Sequence, residues 1–193
     1  VMVNDLLQYL NHHGINQCVV LGHSMGGKTA MAFALQYPDR IQKLIIADIA
    51  PKYYAPHYQK ILAGLSNLNL EEVSSRKAAA ERLENYIPEA GTRQFLLKNL
   101  YWVSEGKLGL RTNVAVLKNA AEAIGAAIQS QNQYHQPTLF LYGENSNYIN
   151  PKTDTEILQY FPKAEIIEIK GAGHWLHAEQ PLLFFKTLTQ WLR

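Results

Sequence analysis

The 193-residue chain predicts an α/β fold, a parallel sheet of about four strands flanked by helices and interrupted by a helical insertion. Three observations predict it. Short apolar, β-favouring runs alternate with helix-period segments at both ends of the chain. A strand-like run ending at Leu21 turns through glycines straight into a helix-like segment. The stretch between Pro51 and Pro137 is too long for a plain loop and carries helical patterns without strong strand signals.

The first segment is an amphipathic helix, with Val3, Leu6, Leu7 and Leu10 at helical spacing and Gly14 as its stop. A strand over Cys18 to Leu21, a helix over Met25 to Gln36 ended by Pro38, and a strand over Lys43 to Ala47 follow. Within the insertion, helical patterns cover Tyr58 to Leu65, Glu72 to Tyr86, Thr92 to Leu100 and Asn113 to Gln129. The sheet resumes with a strand over Thr138 to Tyr142, a helix over Thr153 to Tyr160, a strand over Ala164 to Ile169 and a helix from about Ala178 to Leu192. The expected organisation is sheet core over 1–50, a helical lid over 51–136 and sheet core again over 137–193. Strands joined through helices in this order make a parallel sheet with right-handed crossovers.

Composition excludes several classes of function. Hydrophobic residues make up 47%, charged residues 18%, and the net charge is +2, so neither a nucleic-acid face nor a disordered tail is indicated. The single cysteine, Cys18, rules out an internal disulfide; it reads as a packed thiol and favours the cytoplasm. No apolar run reaches the roughly 18 residues a membrane helix needs.

The turn after the second element carries the chemistry. Gly22-His23-Ser24-Met25-Gly26 is a Gly-x-Ser-x-Gly nucleophile elbow, in which a strained serine stands exposed between strand and helix. Three fixed positions match by chance in roughly one chain of this size in fifteen, so the strand before and the helix after carry the weight. A serine hydroxyl needs a base, and the base an orienting acid. His174, in Gly171-Ala172-Gly173-His174-Trp175 after the last strand, falls on a flexible loop at the carboxyl edge of the sheet. His23 flanks the serine too closely to serve as base, His12, His13, His57 and His135 read as surface or lid residues, and His177 as a cap of the last helix.

For the acid, two positions compete. Many elbow-bearing folds place it after the strand preceding the histidine's strand, but the matching stretch, Tyr142-Gly143-Glu144-Asn145-Ser146-Asn147, has Ser146 in that slot, with Glu144 as a nearby carboxylate. Asp48, at the end of the apolar run Leu44-Ile45-Ile46-Ala47, is costly to bury unless paired and is the favoured acid. The backbone N–H of Met25 supplies an oxyanion donor. In the insertion, Tyr53, Tyr54, Phe95, Tyr101 and Trp102 suit either an acyl pocket or packing onto the sheet.

These residues resemble the α/β-hydrolase superfamily, and in particular the small YbfF-type bacterial esterases. Gly22-His23-Ser24-Met25-Gly26-Gly27-Lys28, Asp48-Ile49-Ala50-Pro51 and Gly171-Ala172-Gly173-His174-Trp175 are all similar to that branch, along nearly the whole chain. The resemblance implies Asp48 as the acid, hydrolysis of small carboxylic ester or thioester substrates, a helical lid and no cofactor. The family also has strands before the elbow and a His-Gly type loop giving a second oxyanion donor, and neither is present here. The sequence is therefore expected to be the carboxy-terminal part of a longer protein, poorly active alone.

Overall fold

A computed structural model describes residues 1–56, 59–73 and 75–193. The expected surface residue His57 and the first residue of the helix expected from Tyr58 lie outside the described residues. The chain forms two compact units, one of residues 1–53 with 127–193 and one of residues 54–126.

The first unit is the sheet. Helix α1 (Met2–His12) leads through Gly14 to β1 (Cys18–His23), α2 (Met25–Gln36) and β2 (Ile41–Ala47). After the second unit come β5 (Thr138–Gly143), α8 (Glu156–Tyr160), β6 (Ala164–Ile169), α9 (Leu176–Glu179) and α10 (Pro181–Leu192). The four strands are parallel in the order β1-β2-β5-β6, so the insertion joins two neighbouring strands. β2 and β5 are central and almost continuously apolar, as strands covered on both faces must be. On one face Ile45, Ala47, Leu139, Leu141 and Ile169 pack with Leu176 and with the partly buried Phe184, Leu188 and Trp191 of α10. β1 is an edge strand, and Val19 and Leu21 are half exposed on it at alternate positions.

The first unit also takes residues 127–136, which the sequence grouped with the insertion. Their backbone and side chains bond to it. Ile128 N–H donates to the Pro51 carbonyl at 2.7 Å and Asn132 Nδ2 to the Leu35 carbonyl at 3.2 Å. The fully buried Tyr134 donates its hydroxyl to the Ile41 carbonyl at 3.0 Å. At the other end of the chain, the expected single helix is broken between α9 and α10, where Pro181 opens the second helix with a ring that suits a first-turn position.

The second unit has α3 (Gln59–Ser66), α4 (Arg76–Leu83), α5 (Ala90–Leu97), a hairpin of β3 (Leu100–Ser104) and β4 (Lys107–Leu110), then α6 (Val114–Asn119) and α7 (Ala121–Gly125). Leu65, Leu68, Val73, Ala79, Leu83, Ile87, Leu97, Leu100 and Leu108 form its own core. The hairpin corrects the expectation of an insertion without strands. Tyr101, Trp102 and Val103 are β-favouring residues, and the turn at Gly106 reverses the chain.

Candidate active site

Two neighbouring strands end in strained residues. Ser24 follows β1 with φ 52° and Asp48 follows β2 with φ 51°, the two non-glycine residues of positive φ among those described. His23 and Ala47 are register partners, so Ser24 and Asp48 occupy adjacent positions at the carboxyl edge of the sheet. Each is fixed by one further backbone bond to the next strand: Ser24 N–H to the Ala47 carbonyl at 3.0 Å, and Asp48 N–H to the Leu141 carbonyl at 2.8 Å. Such a backbone costs roughly 1–3 kcal/mol and persists only where the surroundings enforce it. Met25 opens α2 directly after Ser24, so its N–H belongs to the unpaired positive end of the helix.

The structure brings Asp48 and His174 together. His174 Nδ1 lies 2.7 Å from Asp48 Oδ2, with the carboxylate fully buried and the imidazole one-fifth exposed. A buried carboxylate must be satisfied at both oxygens. Gly143 N–H donates to Oδ1 at 3.2 Å, and the Ser146 hydroxyl donates to Oδ2. Ser146 fills the slot in which the sequence would have placed an aspartate, and it acts on the carboxylate that stands elsewhere. Glu144 is engaged differently. Its Oε2 accepts the Gly171 N–H at 2.8 Å and its Oε1 faces Lys170 Nζ at 3.4 Å, and these contacts, the Gly171 bond foremost, hold its pKa below the ordinary glutamate value.

The segment after β6 that carries His174 packs tightly on the segment after β5. Asn145 N–H donates to the Ala172 carbonyl at 2.8 Å, and a Cβ on Gly143 would collide with the Gly173 and Ala172 carbonyl oxygens. Only glycine permits that approach. The Glu179 carboxylate accepts the Gly173 N–H at 2.7 Å and the Trp175 N–H at 3.1 Å. Tyr148 stacks on the His174 ring with centroids 4.0 Å apart. His23 points its Nε2 at the His174 carbonyl at 2.8 Å, and His177 lies edge-on to His23 in α9. The sequence singled out neither Tyr148 nor Glu179, and it considered His23 only as a base. His12, His13 and His135 are exposed surface residues.

Burial lowers the pKa of His23 below its ordinary value of 6.5, helped by His174 and His177 and opposed by its bond to the His174 carbonyl and by Asp48. On acidification the unfolded chain therefore takes up this proton first, and the fold loses stability as pH falls below about 6.5 until His23 itself titrates. We expect the melting temperature to drop more between about pH 7.5 and 5.5 in the wild type than in His23→Gln, which a pair of thermal melts at each pH will measure.

Lys28, in the first turn of α2, is only 9% exposed, and burial pushes its pKa down to about 8. Its Nζ donates to the Lys52 carbonyl at 2.6 Å, while Lys52 Nζ pairs with the buried Asp154 at 2.8 Å. These bonds tie the elbow helix to the segment following Asp48. Among the described residues, no cluster of three or more His, Cys, Asp or Glu side chains could hold a metal ion, and no helix is long and apolar enough to cross a membrane.

A strand-to-helix serine at one strand end, with a buried Asp-His pair at the next strands' ends, defines an α/β-hydrolase type of site. The chain belongs to the α/β hydrolase fold family, whose model matches residues 1–181. It is 39% identical over 197 residues to the mouse (Mus musculus) protein named sn-1-specific diacylglycerol lipase ABHD11, with 99% of this chain and 64% of that protein covered. It is 34% identical to esterase YbfF of Escherichia coli, over 99% of this chain and 73% of that one. Among solved structures, a marine microorganism esterase superposes with a TM-score of 0.94 at 37% identity, covering 98% of this chain and 75% of the other. The chain thus spans less than two thirds of the length of the mouse relative.

Proposed function

We propose that this chain carries the acyl-transfer site of a serine esterase acting on small carboxylic ester or thioester substrates. The observation that carries the reading is the buried Asp48 carboxylate accepting a hydrogen bond from His174 Nδ1 at 2.7 Å, beside a serine on a strained strand-to-helix turn. With Nδ1–H directed at Asp48, Nε2 is left with its lone pair, the form a general base needs. His174 takes the proton of the Ser24 hydroxyl through Nε2, and Ser24 Oγ attacks the substrate carbonyl. The tetrahedral oxyanion accepts the Met25 N–H, one donor of the hole. Collapse expels the alcohol or thiol, which takes the proton from His174, and leaves an acyl-serine. Water then attacks with His174 again as base, releasing the acid and restoring Ser24. Asp48 stabilises the imidazolium in both steps without becoming protonated. Glu144, held by Gly171 and Lys170, has no part in this scheme.

The names of the relatives, esterases and a diacylglycerol lipase, support an ester as substrate. The insertion, expected over 51–136 and narrowed to the compact unit of residues 54–126, is read as a lid, supported by where the chain leaves the sheet: at the carboxyl end of β2, immediately after Asp48. The cytoplasm is the proposed compartment, on the single cysteine.

The second reading, a silent binding module on the same fold, predicts no activated nucleophile. A fluorophosphonate probe separates the two. Covalent labelling that peptide mapping assigns to Ser24 is expected, whereas a chain left unlabelled, or labelled elsewhere, overturns the serine-esterase reading. Product analysis with small acyl esters then distinguishes hydrolysis from a lyase or synthase using the same residues.

A further inference from the structure

His174 sits on a loop, yet a loop alone could not keep an imidazole within hydrogen-bonding geometry of a buried carboxylate. The His174 ring, its carbonyl and the peptide groups flanking it each have a partner. Its ring is stacked by Tyr148 at 4.0 Å and 19° between planes, a near-parallel contact that opposes tilting. Its carbonyl faces His23 Nε2 at 2.8 Å, and since a carbonyl can only accept, Nε2 of His23 carries the proton. The peptide N–H groups on either side of it, those of Gly173 and Trp175, donate to the two oxygens of one carboxylate, Glu179. The three attachments come from separate places in the chain: the residue before Ser24, the segment after β5, and α9.

Resting on the esterase reading above, we infer that His23, Tyr148 and Glu179 are positioning residues that hold the His174 imidazole on Asp48. None of them touches the reacting atoms in this scheme; they act through the base. His23 suits the task because it can donate while uncharged. Burial lowers its pKa, so it does not set a second cation 4.7 Å from a ring that becomes charged during each turnover. The remaining ionisable groups around it are His177, whose ring centroid is 5.2 Å away, and Asp48. Tyr148 contributes its aromatic face, which attracts the imidazolium form of the base. Glu179 fixes the backbone direction from which the imidazole projects.

The test uses the whole chain, with His23→Leu, Tyr148→Ala and Glu179→Ala, the last two each set beside a conservative partner, Tyr148→Phe keeping the ring and Glu179→Gln keeping one acceptor. Two readouts are taken: kcat and KM on a p-nitrophenyl ester, and the downfield proton NMR signal of His174 Nδ1–H. Misplacing a catalytic group by about 1 Å can cost a hundredfold, so each disruptive variant should lose about tenfold or more in kcat with KM nearly unchanged. Each should also broaden or lose the NMR signal while the thermal melt remains cooperative. Tyr148→Phe should retain most of the rate and the signal, and Glu179→Gln should fall between its parent and Glu179→Ala. Disruptive variants that keep kcat within twofold and keep the signal overturn the proposal, as does a rise in KM at constant kcat, which would place these residues on substrate. The NMR signal reports the His174–Asp48 contact whether or not Ser24 attacks an ester. A wild type that is neither labelled nor active, but whose variants still lose the signal, would sink the esterase reading and leave the positioning role standing.

Discussion

Asp48→Asn is expected to lower kcat by up to about 10⁴-fold, whereas Glu144→Gln changes it by no more than a few-fold. The asymmetry follows from what each carboxylate holds. Asp48 accepts at both oxygens, from Gly143 N–H at Oδ1 and from Ser146 and His174 at Oδ2. An asparagine there can keep its carbonyl oxygen toward Gly143 only by turning its NH₂ group toward the imidazole. His174 Nδ1 must then accept rather than donate, which moves the ring proton to Nε2 and leaves no lone pair to receive the serine proton. Ser146 must turn its hydroxyl as well, so no conservative repacking restores the native pattern. Glu144 bonds to the exposed Lys170 and to the Gly171 N–H, and its loss perturbs only a turn. The measurement is the rate of p-nitrophenyl ester hydrolysis together with the rate of fluorophosphonate labelling, with far-ultraviolet circular dichroism as the control for folding. If Glu144→Gln is the crippling change and Asp48→Asn is mild, the acid has been assigned to the wrong residue.

The sequence carried more of the sheet than of the insertion, and the reason is locality. β6 runs over Ala164–Ile169, the bounds its short isoleucine-rich run gives, and α2 begins and ends where the glycines and Pro38 place it. Both are determined by neighbours in the chain. The β3–β4 hairpin falls in the stretch between the helical patterns of Thr92 to Leu100 and Asn113 to Gln129, to which no element was assigned, although Tyr101-Trp102-Val103 before a turn glycine is the signal that could have found it. α8 begins at Glu156 rather than Thr153, and ahead of it the Asp154 carboxylate accepts the Asn150 N–H at 2.8 Å and pairs with Lys52, a partner 102 positions away that a local pattern does not reveal. In the site, residues that differ from a familiar pattern were visible and residues that support it were not. Ser146 stood out as a serine in an acid's slot, but its role needed the fold, since it meets Asp48 across 98 positions of sequence. Tyr148 and Glu179 left no mark in the sequence beyond lying a few residues from expected loops, because what matters about them is which backbone atoms and which ring they face.

Gly22→Ala is expected to destabilise the fold by roughly 3 kcal/mol and to prevent labelling of Ser24, whereas Gly26→Ala is expected to fold normally, although both glycines belong to the same motif. A Cβ on Gly22 would strike the Gly26 carbonyl oxygen and come within 2.7 Å of the Gly27 Cα. All of these are backbone atoms of the elbow itself, so no side chain can swing away to relieve the clash. The first turn of α2 must instead shift away from β1, and the strained Ser24 backbone is held by the bonds that such a shift breaks: its N–H to Ala47 and its carbonyl to Lys28 N–H. A Cβ on Gly26 meets nothing within 4 Å. It also gains helix propensity over glycine, which favours the variant by up to about 1 kcal/mol. Gly27 lies between them, since its Cβ would strike Cγ2 of the buried Ile49 and press on the Gly22 carbonyl at 3.1 Å and on Ile46 Cγ2, so the closest clash is with a side chain rather than with backbone, but a stiff and buried one. Denaturant melts of the three alanine variants should therefore rank Gly26 above Gly27 above Gly22, with labelling following the same order. Equal stability of Gly22→Ala and Gly26→Ala would mean that β1 and α2 do not pack as closely as this geometry requires, and the strained placement of Ser24 would lose its physical cause.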